Sequence, residues 1–265
     1  MRQRIPRSAT PTGEMPFLDH LEELRWRILY ALIALVIGVI AGFILVTEYD
    51  VLGLLVEPVM PYLPEGRKLA YLSPLDPFFL TLKLAALVGL LLAAPVIIYQ
   101  IWSFVAPALK KEERRAIVPS FYLGLVLFAC GVALAYWFAL PVTLKFGTGF
   151  QTESLEPNLV VGPYLALVVR MLLAFGLVFE LPIVILILSA FGIVDPAMLR
   201  SKRRHAIIVF AIVASIITPG DIIVLTLLLM VPLLLLYELS IVLSAMVERR
   251  RVRTQRQILA EAADA

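Results

Sequence analysis

Six apolar runs separated by polar segments dominate this chain. They cover residues 28–46, 78–101, 116–138, 164–191, 206–217 and 222–247. A helix of about 20 apolar residues can cross the hydrocarbon core of a bilayer. The pattern therefore predicts an all-α polytopic membrane protein with six transmembrane helices, joined on one side by long loops at residues 47–76 and 141–162.

Two of these runs have unusual lengths. Residues 164–191 would form a helix of about 42 Å, which exceeds a hydrocarbon core of about 30 Å and requires a tilt or a kink. Pro182 lies within this run and predicts the kink. Residues 206–217 would form a helix of only about 18 Å. We therefore expect spans five and six to be short, which would suit a locally thinned bilayer.

The chain predicts three regions. Residues 1–14 are polar and predict a disordered cytoplasmic tail. Residues 15–247 predict a membrane domain, and residues 248–265 a second cytoplasmic tail that is frayed helix or disordered. At the start of the domain, apolar residues recur at helical spacing and predict an amphipathic helix that lies on the membrane before the chain turns into the first span. They are Phe17, Leu21, Leu24 and Ile28.

Gly38 and Gly42 form a GxxxG pair in the first span. Such a pair can let another helix approach closely. Glycine is frequent in membrane helices, so we interpret this spacing as incidental.

Composition supports the membrane class and excludes several kinds of chemistry. Hydrophobic residues make up 61% of the chain and charged residues 16%, and the mean hydropathy is +0.95. One cysteine, Cys130, cannot form a disulfide framework, and His20 and His205 lie far apart in the sequence. No phosphate-binding loop or dinucleotide fingerprint is present. We expect no cofactor, no metal, no nucleic-acid partner and no enzymatic activity.

Basic residues are distributed unequally between the two sides of the predicted bundle. If the N-terminus is cytoplasmic, 18 of the 23 Lys and Arg residues fall on that side. The opposite side holds only Arg67, Lys68 and Lys145. Lys83 and Arg170 lie within spans, where we expect their long side chains to reach the interface. Because cytoplasmic segments are enriched in Lys and Arg, we expect both termini to be cytoplasmic.

Glu180 lies near the middle of the fourth run. A charged carboxylate at the bilayer centre costs about 2.5 kcal/mol or more. The group must therefore be protonated, paired or exposed to a wet cavity. A neutral acid bonded to a neighbouring helix would meet these conditions, but we favour a functional role because such a residue is costly to keep.

Two glutamates at the cytoplasmic side, Glu23 and Glu113, stand among cations. Glu23 precedes Arg27 by four residues, which favours an ion pair along a helix. Glu113 also has arginine neighbours, so an ion pair along a helix explains it equally well. Judged by spacing alone, both are surface ion pairs, and a binding role is the open alternative.

Four segments occur in order along the chain: FLDHLEELRWRI, YQIWSFVAPALKKEERR, AFGLVFELP and ITPGD. Together, over residues 15–246, they resemble TatC, the polytopic core of the twin-arginine protein translocase. The resemblance implies a receptor that captures proteins folded in the cytoplasm through N-terminal signals containing two adjacent arginines. Carboxylates suit this task because they hold a guanidinium through charge-assisted, bidentate hydrogen bonds. By position, the resemblance implies signal-peptide binding by Glu23, Glu113, Arg25 and Phe104.

The resemblance also implies a role for residues in and beyond the membrane. Glu180 would face a concave groove around span four, and Pro58 would be tied to the outer cap. Single-span TatA and TatB subunits would pack near the fifth span, where Thr218 matches a polar contact position. Leu225 replaces the family's glutamine just beyond the ITPGD turn, so that hydrogen bond does not carry over.

The cellular setting is likewise implied by the resemblance. It implies export across a bacterial cytoplasmic (inner) membrane, driven by the proton-motive force. The chain would act in the lipid bilayer as a homo-oligomer within a complex.

Two other classes are weighed against this one. A proton-coupled secondary transporter would also use a midplane acid, but the sequence shows no convincing internal repeat. An intramembrane hydrolase would need a nucleophile and a base within spans, and both histidines lie at the cytoplasmic edge.

Overall fold

The computed structural model describes residues 17–63, 68–105, 111–149, 159–217 and 223–264. Ten α-helices, one 3-10 turn (Glu57–Tyr62) and one π turn (Ala135–Ala139) lie in these ranges. The helices are α1 Phe17–Glu48, α2 Val51–Val56, α3 Asp76–Val105, α4 Lys111–Leu134, α5 Leu140–Gly149, α6 Val161–Phe179, α7 Leu181–Ala190, α8 Pro196–Ser201, α9 Arg203–Ile217 and α10 Ile223–Asp264. The predicted tail at residues 1–14 and the predicted contact residue Thr218 lie outside the described residues.

Five helical stretches in the described part of the chain are long and apolar enough to cross a bilayer. They are His20–Glu48, Asp76–Val105, Ser120–Gly149, Val161–Ala190 and Leu229–Arg249. The predicted span at residues 206–217 lies within α9, whose 15 residues extend about 22 Å. The predicted all-helical membrane class is confirmed, and α9 is shorter than a hydrocarbon core of about 30 Å.

The fourth span is interrupted at Glu180, between α6 and α7. Pro182 occupies the first turn of α7 and has no N–H to bond the carbonyl one turn earlier. The Glu180 N–H donates to the Leu177 carbonyl, three residues earlier, at 3.1 Å. The helix is therefore interrupted at the place where Pro182 predicts a kink.

Three helices continue where the sequence predicts a change. α1 runs unbroken from Phe17 to Glu48, so the predicted turn between the amphipathic segment and the first span is wrong; no Gly or Pro occurs in residues 17–37 to cause it. The third span continues through α5 to Gly149, although Pro141 predicts a loop. A wide π turn precedes Pro141, and proline is tolerated in the first turn of a helix. α10 is helical through Asp264.

The α1–α3 contact is built on glycines of both helices. A Cβ atom on Gly42 would lie 2.5 Å from the Ala85 carbonyl oxygen and 2.8 Å from the Gly89 nitrogen. A Cβ atom on Gly38 would overlap the Gly89 carbonyl oxygen. The two backbones can approach this closely only because no side chain intervenes. Both glycines of α1 therefore face Gly89 of α3, and the interpretation of their spacing as incidental is wrong.

A cap formed by α2 and the turn at residues 57–62 closes one end of the bundle. The Tyr136 hydroxyl donates to the Leu54 carbonyl at 2.6 Å, and the Tyr164 hydroxyl donates to the Leu55 carbonyl at 2.6 Å. Within the cap, Val59 is fully buried and Pro58 is half-buried. Tyrosines of two spans thus hold the cap by its backbone carbonyls.

Candidate functional site

The other end of the bundle carries the candidate site. We call it the basic end, and define it by residues 20–27 of α1 and residues 100–105 of α3. Glu23 and Arg27 form the helical ion pair that their spacing predicts, with Arg27 Nη2 2.8 Å from Glu23 Oε1. Arg27 Nε also donates to the same oxygen at 3.3 Å. Both Arg27 contacts therefore use a single carboxylate oxygen.

Arg27 also connects α1 to the end of α3. Its Nη1 donates to Gln100 Oε1 at 3.3 Å, and its Nη2 lies 3.5 Å from the Ser103 carbonyl oxygen. A guanidinium presents five N–H donors in a fixed plane, so one side chain can bridge two helices. The position of the Glu23 carboxylate is thus set by α3 as well as by α1.

The second carboxylate oxygen of Glu23 has no hydrogen-bond partner among the described residues. Oε2 is buried and accepts no hydrogen bond within the described structure, while the side chain as a whole retains 19% exposure. Leaving a buried acceptor unpaired costs about 1–3 kcal/mol, and more for a charged group. A ligand that brings a donor to this oxygen would recover that free energy.

Aromatic side chains also lie at this end of the bundle. The rings of His20 and Phe104 are stacked, with centroids 4.3 Å apart and planes inclined by 16°. Trp102 is buried against Leu186, Ala190 and Val247, and its Nε1 has no acceptor among the described residues. The basic end therefore contains, among the described residues, a buried acceptor on Glu23 and a buried donor on Trp102 that have no hydrogen-bond partner.

The structure describes less about the other two residues that are predicted to bind the signal, Arg25 and Glu113. Arg25 is exposed on α1, next to the exposed Trp26. Glu113 is the third residue of α4, and its side chain lies outside the part that the structure describes, as does that of Leu225 on α10. The structure brings Glu23 and Phe104 to the same end and leaves the Glu23–Glu113 pairing as a prediction.

Glu180 lies apart from this group. It precedes the end of α7 at Ala190 by ten residues, or about 15 Å along a helix. Its Oε2 lies 3.0 Å from the position that a Cβ on Gly124 would take, so the carboxyl faces α4. Its Oε1 is buried without a hydrogen-bond partner among the described residues. Glu180 is therefore a second buried polar side chain in the membrane domain, separate from the basic end.

Sequence reasoning found the Glu23–Arg27 pair and missed its surroundings. Gln100 is 73 residues from Arg27, and no local pattern marks it. No local pattern marks the burial of the Trp102 indole either, because its neighbours Leu186, Ala190 and Val247 lie on other helices. A polar Gln at the end of an otherwise apolar run was the one available signal.

Three comparisons place the chain among known proteins. The family model described as Sec-independent protein translocase protein (TatC) matches residues 19–232. The TatC protein of Aquifex aeolicus strain VF5 is 38% identical over 244 residues, covering 91% of this chain and 100% of the relative. The TatC protein of Escherichia coli K12 is 36% identical over 229 residues, covering 86% of this chain and 88% of the relative.

A solved structure agrees with the sequence comparisons. The crystal structure of the twin arginine translocase receptor TatC superposes with a TM-score of 0.73 at 37% identity, covering 86% of this chain and 99% of that one. Sequence and fold thus match over the same large share of the chain. The chain belongs to the TatC family of Sec-independent protein translocase proteins.

Proposed function

We propose that this chain is the receptor that recognises twin-arginine signal peptides of folded proteins at its basic end. Glu23 and Glu113 would hold the two signal arginines, and Phe104 would offer the signal an apolar ring face. Arg25 would turn its charge toward the flanking polar part of the signal.

Membership of the family supports the general role. The chain is a component of the Sec-independent protein translocase, a multi-pass membrane protein that works with other Tat components and is not an enzyme. The solved relative is named the twin arginine translocase receptor. The finer assignment to individual residues rests on the geometry of the basic end.

The unpaired Oε2 of Glu23 carries this proposal. Arg27 occupies only Oε1, so the carboxylate keeps acceptor sites for a second guanidinium. Arg27 itself is held by Gln100, which fixes the carboxylate before a ligand arrives. A pre-positioned acceptor loses little side-chain entropy on binding.

The membrane arrangement is part of the same proposal. We place the basic end and both termini in the cytoplasm of a bacterium, with six spans in the inner membrane and α9 as the short fifth one. The uneven distribution of Lys and Arg supports this orientation. The cap with Pro58 then lies on the outer side.

Partner subunits complete the proposed translocase complex. TatA- and TatB-type single-span helices would pack near α9 and Thr218, and Leu225 would make an apolar contact there. Glu180 would face a concave groove around span four and contribute a polar contact within it. The complex would contain several copies of this chain and use the proton-motive force to move folded cargo.

The test is equilibrium binding of a fluorescent twin-arginine signal peptide to the protein in nanodiscs. We expect Glu23→Gln to weaken binding by about 1.5–3 kcal/mol, the worth of a hydrogen bond to a charged group, or roughly ten- to hundredfold. Glu22→Gln is the matched control, because Glu22 is an exposed neighbour with the same charge. It should leave binding within about twofold.

A peptide with both arginines changed to lysine completes a double-mutant cycle. The lysine peptide should bind weakly to the wild type and lose little more in Glu23→Gln, because the two changes remove the same contact. If the losses of binding free energy from the two changes are additive, Glu23 does not contact the signal arginines and acts only through Arg27. If the twin-arginine peptide binds equally well to Glu23→Gln and to the wild type, the proposed binding site at Glu23 is refuted.

A further inference from the structure

The cations of α8 and α9 lie at a different depth from those of the basic end. The Arg203 guanidinium pairs with Glu238 of α10 at 2.8 Å. The Tyr237 hydroxyl donates to the Leu199 carbonyl at 2.9 Å, and the rings of Tyr237 and Phe210 meet at 5.7 Å. These contacts fix the α8–α9 junction at the level of residues 237–238.

The same helix α10 also marks the level of the basic end. Val247 packs with Trp102 of α3, and Trp102 is flanked by the α3 residues that Arg27 contacts. Val247 follows Glu238 by nine residues, which is about 13 Å along a helix. The charged band at the α8–α9 junction is therefore recessed by about 13 Å relative to the band on α1 and α3.

Three cations of this junction are exposed and have no acidic partner in the part of the chain that the structure describes. Arg200, Lys202 and Arg204 form no ion pair within the described residues, whereas Arg203 is neutralised by Glu238. We call these three the recessed cations. The nearest acid on α8, Asp195, accepts the Met198 N–H as the helix cap. The junction thus carries an excess of positive charge.

Apolar side chains begin directly below the recessed cations. Ile207, Ile208, Val209 and Ile212 of α9 are all exposed, and they lie within about two turns of Arg204. An exposed apolar surface of this kind suits lipid chains. We therefore expect the boundary between headgroups and hydrocarbon to fall at the recessed cations.

A cation about 13 Å deeper than the charged band on α1 and α3 is costly without a counter-ion. Arg203 has this counter-ion in Glu238, and their half-exposed pair holds the junction at its level. The recessed cations have no such partner among the described residues, so a negative headgroup that reaches this level would offset their charge. We propose that the recessed cations form a binding site for the phosphate of an anionic phospholipid, whose acyl chains lie on the exposed face of α9.

The experiment measures lipids retained by the protein. Wild type and variants are reconstituted in nanodiscs with equal parts of phosphatidylglycerol and phosphatidylcholine, and retained lipids are counted by native mass spectrometry after gentle release. The test variant is Lys202→Gln with Arg204→Gln. The control is Arg249→Gln with Arg253→Gln, which removes the same charge from exposed positions of α10 beyond the recess.

We expect wild type to retain phosphatidylglycerol in preference to phosphatidylcholine. In the test variant the preference for phosphatidylglycerol should fall by roughly thirtyfold, because each of the two cations that are removed contributes about 1 kcal/mol of attraction to an anionic lipid surface. The control should keep it. If both variants lose the preference for phosphatidylglycerol equally, the effect is one of general charge and the proposed lipid site is overturned. The site is also overturned if neither variant loses the preference. All four positions are exposed, and the circular dichroism melt of each variant verifies that it is folded.

Discussion

We expect Gly89→Ala to push α1 and α3 apart. A Cβ atom on Gly89 would lie 2.5 Å from the Val39 nitrogen and 2.7 Å from the Gly38 carbonyl carbon. Optimal contact for carbon is about 3.5–4.0 Å, so the helices would have to separate by about 1 Å. Both contacts are with backbone, which cannot rotate out of the way as a side chain can.

The change in the free energy of unfolding that Gly89→Ala causes is the sum of two opposing contributions. Overpacking a tight contact costs about 1–3 kcal/mol, while alanine is better than glycine in a helix by about 0.8–1.0 kcal/mol. Gly147→Ala on α5 isolates the second term, because nothing lies within 4 Å of a Cβ there. The difference between the two variants should therefore equal the steric cost, about 1–3 kcal/mol in favour of Gly147→Ala.

The assay is thermal unfolding of the detergent-solubilised protein, followed as the monodisperse fraction that survives each temperature. A chain of this size shifts its midpoint by about 2–4 °C per kcal/mol. Gly89→Ala should melt below Gly147→Ala by at least about 2 °C on that scale. Midpoints that agree within experimental error would refute the glycine contact between α1 and α3.

Three further contacts can be tested by substitution in the same assay. Tyr164→Phe should destabilise the protein by about 1–3 kcal/mol, because it leaves the Leu55 carbonyl without its donor. Ser189→Ala and Ser244→Ala should each destabilise, and the double variant should lose less than their sum, because the two hydroxyls lie 2.7 Å apart and serve each other. Arg203→Gln should change stability by no more than about 1 kcal/mol, because its ion pair is half-exposed at 50% and 52% side-chain accessibility.

The candidate site was only partly predictable. The Glu23–Arg27 pair follows from a four-residue spacing, because neighbours one turn apart face each other on any helix. The anchoring of Arg27 by Gln100 does not follow, because their approach depends on how α1 packs against α3. The unpaired Glu23 Oε2 depends in turn on that anchoring.

The sequence by itself determined the membrane class, the approximate spans and the interruption near Pro182. These features respond to local causes, namely the apolar length that a bilayer demands and the missing N–H of proline. The charge distribution that predicts orientation is equally local. It is read from the composition of each segment without reference to the others.

Only the tertiary structure decided which surfaces meet. It showed that Gly38 and Gly42 face Gly89, that tyrosines hold the cap, and that the α8–α9 junction is recessed along α10. Each depends on the relative position of helices far apart in the chain. In a membrane such positions are set by close packing and interhelical hydrogen bonds, since burying apolar surface gives little preference between lipid and protein.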